Sequence, residues 1–453
     1  MMTSPTSEQL LAAHPRASTD PDDRARASVD RSGFIPQSFA DGVVFAQDID
    51  DVVLTMKLAS EHGVKIVPRG AGTGLAAGSC AQAGEVVLDL SAMNQILSLD
   101  PVQGIAVVQP GVINAAVNHA AGEHGLFYAP DPASTAICSI GGNIATNAGG
   151  MWCAKYGVTR ESVLSLLVVL PDGQLLRTGR RTIKGVAGYD MNALMIGSEG
   201  TLGIVVEATL RLRPKPKHTA TLVSYFPDEA AAASAASAVI AAGLTPSVLE
   251  LMDGKTLSAV DSALGTDHHS RGGALLLAQT DGYGAHLEMQ ALQDAIEPLA
   301  AHSELAQDPQ HAEALVEARR QAIPSMEKLG TVSICDIGVP RNRLAEAIAG
   351  LQRIEAERGV SIFIIAHAAD GNLHPIIVVP EGQSITTGSP KAALADMFYL
   401  AKELGGTLTG EHGIGLLKQD WLPEEVGETS LQLQRRLRAV FDPQGILNPG
   451  KAI

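Results

Sequence analysis

Two histidines flank an Asp-Gly pair in the stretch IIAHAADGNLHPIIVV, residues 364–379. Asp-Gly between two apolar, β-branched runs is a strong hairpin signal, because a type I′ turn takes positive φ at both central residues. With Asp370 and Gly371 as the two loop residues, Ala369 faces Asn372, Ala368 faces Leu373 and His367 faces His374. Directly opposed residues point to the same side of a sheet with Cβ atoms roughly 5 Å apart, close enough for two imidazoles to share one metal ion. Two separately satisfied histidines at a sheet edge are the other reading. A carboxylate delivered from elsewhere in the chain would decide for the metal.

Glycine-rich segments are the second source of chemistry. In PRGAGTGLAAG, residues 68–78, the run Gly72 to Ala77 satisfies the loose G-x-G-x-x-[GA] dinucleotide form. A Rossmann loop, however, opens a long amphipathic helix leading to a second parallel strand, and SCAQAGEVVLDL leaves no room for one. Backbone amides that cradle a pyrophosphate and a plain surface turn are the readings left beside it. APDPASTAICSIGGNIATNAGG, residues 129–150, carries paired glycines, hydroxyls and amides with almost no charge. Glycine at this density brings backbone close to a ligand or to another backbone, which suits a large, flat, mostly uncharged cofactor. GSEGTLGIVVEATLRLRPKP, residues 197–216, repeats the theme.

Several elements must position these residues. DIDDVVLTMKLASEHG reads as a helix with an acidic start and a glycine stop, followed by the strand VKIVP. EVVLDL, GIAVVQP, SLLVVLP and IVVEATLRLRP read as further strands, and RPKPKHT at 213–219 as a linker. Beyond it, strands alternate with long alanine-rich helices, which predicts an antiparallel sheet with helices on one face. The expected organisation is an N-terminal extension over 1–40, a first domain over 41–215, a cap over 216–387 and a mostly helical C-terminal segment over 388–453.

Composition narrows the function. At 453 residues the chain exceeds the size at which a single core stops growing. A net charge of -16 argues against nucleic acid or an anionic membrane as a general partner. Cys80, Cys138, Cys153 and Cys335 lack the short paired spacings of a zinc ribbon or redox motif, so reduced thiols in a cytoplasm are expected. Neither a signal peptide nor a membrane-spanning run of about 18 apolar residues is read in the chain. Peripheral attachment to a membrane through a redox partner stays open.

The order of PRGAGTGLAAG, PDPASTAICSIGGNIATNAGG, KGVAGYDMNALMIGSEGTLGIVVEATLRLRP, HAADGNLHP, GEHGIG and FDPQGILNPGKAI closely resembles the FAD-linked 2-hydroxyacid dehydrogenases. These include D-lactate dehydrogenases, the flavin subunit of glycolate oxidase and D-2-hydroxyglutarate dehydrogenases, within the vanillyl-alcohol-oxidase type flavoproteins. The resemblance runs from about residue 40 to the C-terminus. It implies an α+β chain: a vanillyl-alcohol-oxidase type FAD-binding domain, then an antiparallel-sheet cap that takes the substrate, then the helical C-terminal segment.

By that resemblance, Arg69, Gly70, Ala71, Gly72, Thr73, Gly74 and Gly78 would hold the FAD pyrophosphate. Pro132, Ser134, Ser139, Gly141, Gly142, Asn147, Ala148, Gly149 and Gly150 would line the rest of the flavin, and Gly200, Thr201 and Ile204 its isoalloxazine or adenine side. Relatives that attach FAD covalently carry a histidine where this chain has Thr73, so a non-covalent flavin is implied. The carboxylate missing from the hairpin is found in LTGEHGIG: the family's divalent metal is held by residues matching His367, His374 and Glu411. Two imidazoles and one carboxylate leave coordination positions open, as in a catalytic site. Zinc, manganese and iron all suit it, with zinc preferred.

Arg319, Asn372 and His412 match substrate-side residues. Arg319 would pair with the substrate carboxylate, while Arg320 faces solvent. His412 would accept the hydroxyl proton as hydride passes to flavin N5, with a role in support of the ligands as its alternative. Relatives acting on D-2-hydroxyglutarate show a lysine where this chain has Ile334, which favours D-lactate or glycolate over the dicarboxylate. An ether-lipid synthase-like transferase and a non-catalytic flavin-binding subunit are the rival readings. The electron acceptor is open, and a homodimer is compatible with everything read here.

Overall fold

The computed structural model describes residues 5–182, 184–385 and 387–453. The first four residues of the expected N-terminal extension lie outside them. Two compact units form from discontinuous pieces of chain. The first takes residues up to Gly149, Gly157–Lys215 and Glu411–Ile453, and the second takes Gly150–Tyr156 and Pro216–Gly410.

In the first unit, Gly42–Phe45, Glu85–Asp89 and Lys65–Arg69 are parallel neighbours, with the short Ala17–Ser18 antiparallel at one edge. The helix Ile49–His62 connects two of these strands. Its N-cap Asp48 accepts from Asp51 N, it ends at left-handed Gly63, and its buried face is Val52, Thr55, Met56 and Ala59. That i, i+3, i+4, i+7 spacing is the stripe an amphipathic helix turns to a core. Helix Pro5–Ala13 places Leu10 and Leu11 in the same core beside Val44 and Ile66, so the described part of residues 1–40 is integral to the unit. A second, antiparallel sheet runs in the order Ile96–Asp100, Ile105–Val108, Ile204–Arg211, Val163–Val169 and Leu175–Gly179. The chain's end returns to this unit. Ile66 N donates to Ile446 O at 2.7 Å and Asn448 N to Ile66 O at 2.8 Å, which adds the segment GILNPG beside the strand that leads into the glycine loop.

The second unit is one antiparallel sheet in the order His302–Leu305, Thr219–Phe226, Ala274–Asp281, Val248–Asp253, Ser361–His367, Asn372–Val379 and Thr331–Ile334, with Ile337–Gly338 also on Asn372–Val379. Helices cover both faces, not one as expected. Gly254–Leu264, Pro309–Arg320 and Ala322–Glu327 share a core with Val223, Tyr225, Val248, Met252, Phe363 and Ile365. Glu229–Ala241 and Ala285–Ile296 pack on the same strands, and Leu344–Arg358 packs on Glu229–Ala241 and on Gly388–Glu403. The reason is legible in Val248–Asp253, which is buried at every position. A strand with no polar alternation needs a cover on each side. The helical segment expected over 388–453 is divided between the units, Gly388–Glu403 in the second and residues 411–453 in the first. Among the described residues, no helix is long and apolar enough to cross a membrane.

Candidate active site

The hairpin histidines share a face of the sheet without being directly opposed. His367 sits opposite Asn372 and His374 opposite Ile365, so the connection is residues 368–371 rather than a two-residue type I′ turn. The cause is tertiary: Ala368 N donates to Leu249 O of the adjoining strand at 2.8 Å, and Gly371 N returns to His367 O at 3.1 Å. His367 and His374 become diagonal neighbours, a separation that long side chains still bridge. Their ring centroids are 5.0 Å apart with the planes at 86°.

Glu250 lies opposite His367 on the strand Val248–Asp253 and is fully buried. Its Oε1 is 2.6 Å from His367 Nδ1, and its Oε2 accepts from Arg319 Nε at 2.7 Å. Burial works to raise its pKa, but the His367 imidazole and the Arg319 guanidinium prevail and hold it below the ordinary glutamate value. His374 turns Nδ1 toward Cys335 O at 3.4 Å. In both rings Nδ1 has a protein partner, which assigns Nε2 to the ligand side. Arg320, beside Arg319, is exposed and pairs with Glu313.

Glu411 is delivered by a segment stitched to the sheet. Gly338 and Thr407 exchange backbone hydrogen bonds of 3.0 and 2.8 Å, and Thr409 Oγ1 donates to Asp336 Oδ2 at 2.8 Å. A Cβ at Gly406 would lie 2.0 Å from Gly338 O, so that approach to backbone demands glycine, and one at Gly410 would lie 2.4 Å from Asn372 Oδ1 and displace that amide. The next residue is Glu411, and one ligand atom from each of His367, His374 and Glu411 lies within 4.8 Å of the others. That is close to the spread of ligands held roughly 2 Å from one ion. Asn372 Oδ1 beside them is buried and has no hydrogen-bond partner among the described residues. A mixed nitrogen and carboxylate set with an acceptor waiting at its edge fits a divalent cation.

In the first unit two of the glycine segments meet at the Ser139 hydroxyl. Ala71 N donates to Ser139 Oγ at 3.2 Å, and the same hydroxyl caps the short helix Ile140–Thr146 by accepting from Gly142 N at 3.3 Å. A Cβ on Gly70 would sit 2.2 Å from that oxygen. Residues 69–75 and Gly78, with Pro132, Ser134, Gly141, Gly142, Asn147 and Ala148, are half-buried, so a strip of small, mostly uncharged chain faces outward. This fits a flavin nucleotide, whose pyrophosphate takes main-chain donors and whose ring system is uncharged. Arg69 offers backbone rather than charge: its guanidinium donates to Val29 O at 2.6 Å, and burial lowers its pKa against the opposing pull of Asp89 and Asp30. Gly149 is buried, as is Gly150, which begins the second unit's short piece. Gly200 packs on Pro68, Thr201 bonds Ser198 O at 2.6 Å, and Ile204 lies in the core at 1% exposure.

The segment after Glu411 is tied to this loop. Leu416 N donates to Ala76 O at 2.9 Å, and Ile414 N and Gly415 N donate to the Glu199 carboxylate at 2.9 and 2.8 Å. Asn448 Nδ2 bridges Gly78 O and Glu199 O at 3.0 and 2.7 Å. Glu199 sits at a positive φ of 51°, and burial pushes its pKa above the ordinary value despite the two amides. The half-buried His412 stands at the start of this tied segment.

Glu199 and Glu250 are the residues that sequence reasoning passed over. For Glu250 the signal was present: SVLELMD places one carboxylate inside an otherwise apolar strand, and a buried charge needs a partner. For Glu199 nothing in GSEGTLG distinguishes it from a loop acid.

A model of the FAD binding domain matches residues 40–179, and one of FAD linked oxidases, C-terminal domain, matches 215–452. The chain is 41% identical to the glycolate oxidase subunit GlcD of Bacillus subtilis over 92% of this chain and 89% of that one. It is 34% identical to the D-lactate dehydrogenase of Anaerostipes hadrus over 90% and 88%. Among solved structures, p-cresol methylhydroxylase superposes with a TM-score of 0.82 at 17% identity, covering 100% of this chain and 97% of the other, a likeness of fold.

Proposed function

Since the chain belongs to the FAD-linked oxidase family and is a flavin-binding oxidoreductase, we propose that it oxidises a short D-2-hydroxyacid, D-lactate or glycolate, to the 2-oxoacid with the help of a divalent metal. The grouping of His367, His374 and Glu411 carries the metal reading, and the similarity to GlcD and D-lactate dehydrogenase carries the substrate class.

FAD would be held non-covalently by the glycine segments and supplies the acceptor for the hydride leaving the substrate's Cα. A divalent ion, zinc by preference, would be held by His367, His374 and Glu411 and supplies polarisation of the hydroxyl and carboxylate oxygens. The chain's own side chains do the rest. Arg319, with Nε on Glu250, presents the two-nitrogen edge of its guanidinium to a carboxylate. Asn372, whose buried Oδ1 has no hydrogen-bond partner among the described residues, lines the substrate side of the site. His412 takes the hydroxyl proton, a task worth roughly 10²–10⁴ in rate. One guanidinium (+1) and one divalent ion (+2), less the Glu250 and Glu411 carboxylates (−2), leave one positive charge for one substrate carboxylate. A distal carboxylate would meet half-buried, apolar Ile334, where an unpaired charge costs several kcal/mol. Reoxidation of the flavin by a soluble or membrane-side electron acceptor, in a cytoplasmic setting, completes the proposal.

Anaerobic bleaching of the flavin absorbance by a panel of D- and L-2-hydroxyacids tests it. Bleaching is expected with D-lactate and glycolate, and Ile334→Lys is expected to move the preference toward D-2-hydroxyglutarate. A kcat/KM favouring D-2-hydroxyglutarate in the unmodified protein would overturn the choice of substrate. Flavin that stays with acid-denatured protein after washing would overturn the non-covalent assignment at Thr73.

A further inference from the structure

We infer that Glu250 is the positioning residue of the metal centre, its single carboxylate fixing the tautomer of His367 and the setting of Arg319 together. The inference rests on the metal reading above and deepens it. An ionised carboxylate only accepts hydrogen bonds, so the 2.6 Å contact between Glu250 Oε1 and His367 Nδ1 places the imidazole proton on Nδ1. Nε2 then keeps its lone pair for a cation, the arrangement that second-layer carboxylates impose on metal-ligating histidines. The other oxygen, Oε2, takes the Nε–H of Arg319 at 2.7 Å. The guanidinium is thereby held by its inner edge, leaving the outer pair of nitrogens for a bidentate anion.

The placement comes from strand register. Glu250 pairs with His367 on one side and Leu277 on the other, and alternation puts it on the face that the helix Pro309–Arg320 covers. Glu250 is fully buried, with Arg319 at 8% and His367 at 6% exposure, so solvent does not compete for these contacts. A plain counter-ion to Arg319 would satisfy the same burial, but it would have no bearing on how His367 binds a metal. That difference makes the inference testable.

The FAD-loaded full chain is titrated with Zn²⁺ against a chromophoric chelator, as wild type, Glu250→Gln and His367→Ala. Glutamine keeps the shape and one acceptor but removes the charge. Zn²⁺ affinity is expected to fall about 10–100-fold in Glu250→Gln and further in His367→Ala, with the flavin spectrum retained in both. Wild-type Zn²⁺ affinity in Glu250→Gln overturns the inference and leaves the metal reading standing. A wild type that binds no Zn²⁺, or a His367→Ala protein that binds it normally, overturns both. If Glu250→Gln does not fold, the tautomer is read in metal-free wild type at pH 8 from ¹⁵N-histidine NMR, the His367 signals being those lost in His367→Ala. Protonation at Nδ1 is expected, and protonation at Nε2 overturns the inference.

Discussion

Glu199 in the first unit and Glu250 in the second are both turned inward, yet they solve the cost of that placement in opposite ways. Glu250 is matched by side chains, an imidazole N–H on one oxygen and the charged guanidinium on the other, and its pKa is held down. Glu199 is matched by backbone, the Ile414 and Gly415 amides, and burial still pushes its pKa up. Charge pairing suits a group that must set the chemistry of a ligand, because its field and its geometry are both specified. Amide pairing suits a group that holds a loop, because it fixes main chain and little else. The first unit uses its carboxylate as a clasp and the second uses its carboxylate to orient a site.

The sharpest test of that division is to remove a ligand from the second unit and ask what the first unit retains. His374→Ala, or chelation of the wild type, is expected to abolish hydroxyacid-driven flavin reduction while the flavin absorbance of the isolated protein is unchanged. Full activity in the His367→Ala/His374→Ala double variant would refute the metal-assisted mechanism. The next effect in size belongs to the first unit's tied segment. His412→Gln is expected to lower kcat roughly 10²–10⁴-fold, with flavin and Zn²⁺ content normal. A loss below tenfold would assign His412 to support of the ligands.

These residues differ in how far the sequence exposes them. His367, His374, Glu411 and the glycine segments are legible because chemistry demands those types and the surrounding motifs are long. The register between the histidines is not legible: Asp370-Gly371 announces a reversal, but the bond from Ala368 N to Leu249 O, which lengthens it, comes from a strand more than a hundred residues away in the chain. The cover on both faces of the second sheet is written in the unbroken burial of VLELMD, a pattern that becomes informative only once an antiparallel sheet is assumed. The return of residues 411–453 to the first unit rests on contacts such as Ile66 with Leu447 and Asn448 with Gly78 and Glu199, while the Arg438 guanidinium folds the segment on itself by gathering the carbonyls of Leu447, Asn448, Lys451 and Ile453. No local periodicity encodes these.

A smaller effect probes the clasp itself. A Cβ on Gly415 would lie 1.9 Å from Ala76 O, at a φ of 52° that disfavours side chains. Gly415→Ala must therefore displace the tied segment or the glycine loop, and overpacking of this kind costs about 1–3 kcal/mol. FAD affinity, measured by flavin fluorescence on dilution, is expected to weaken by about tenfold or more, with Zn²⁺ affinity unchanged. Loss of Zn²⁺ binding with FAD affinity intact would reverse the roles assigned to the two regions.

The smallest effect, and the one that compares the two glutamates directly, is the pH dependence of stability. A carboxyl whose folded-state pKa is raised, as for Glu199, contributes stability that is fully present below its unfolded pKa and is lost as pH rises through the folded value. A carboxyl whose folded-state pKa is depressed, as for Glu250, contributes stability that is present above its unfolded pKa and is lost as pH falls through the folded value. Glutamine titrates at neither position. The Tm difference between Glu199→Gln and wild type should therefore move in the variant's favour as pH rises through the window just above the ordinary glutamate pKa. The difference for Glu250→Gln should be most unfavourable in that range and above it, and should shrink only on acidification below the ordinary value. Each slope is limited to about 1.4 kcal/mol per pH unit for one group. Parallel slopes in the two variants would mean that burial, and not the choice of partner, governs both carboxylates.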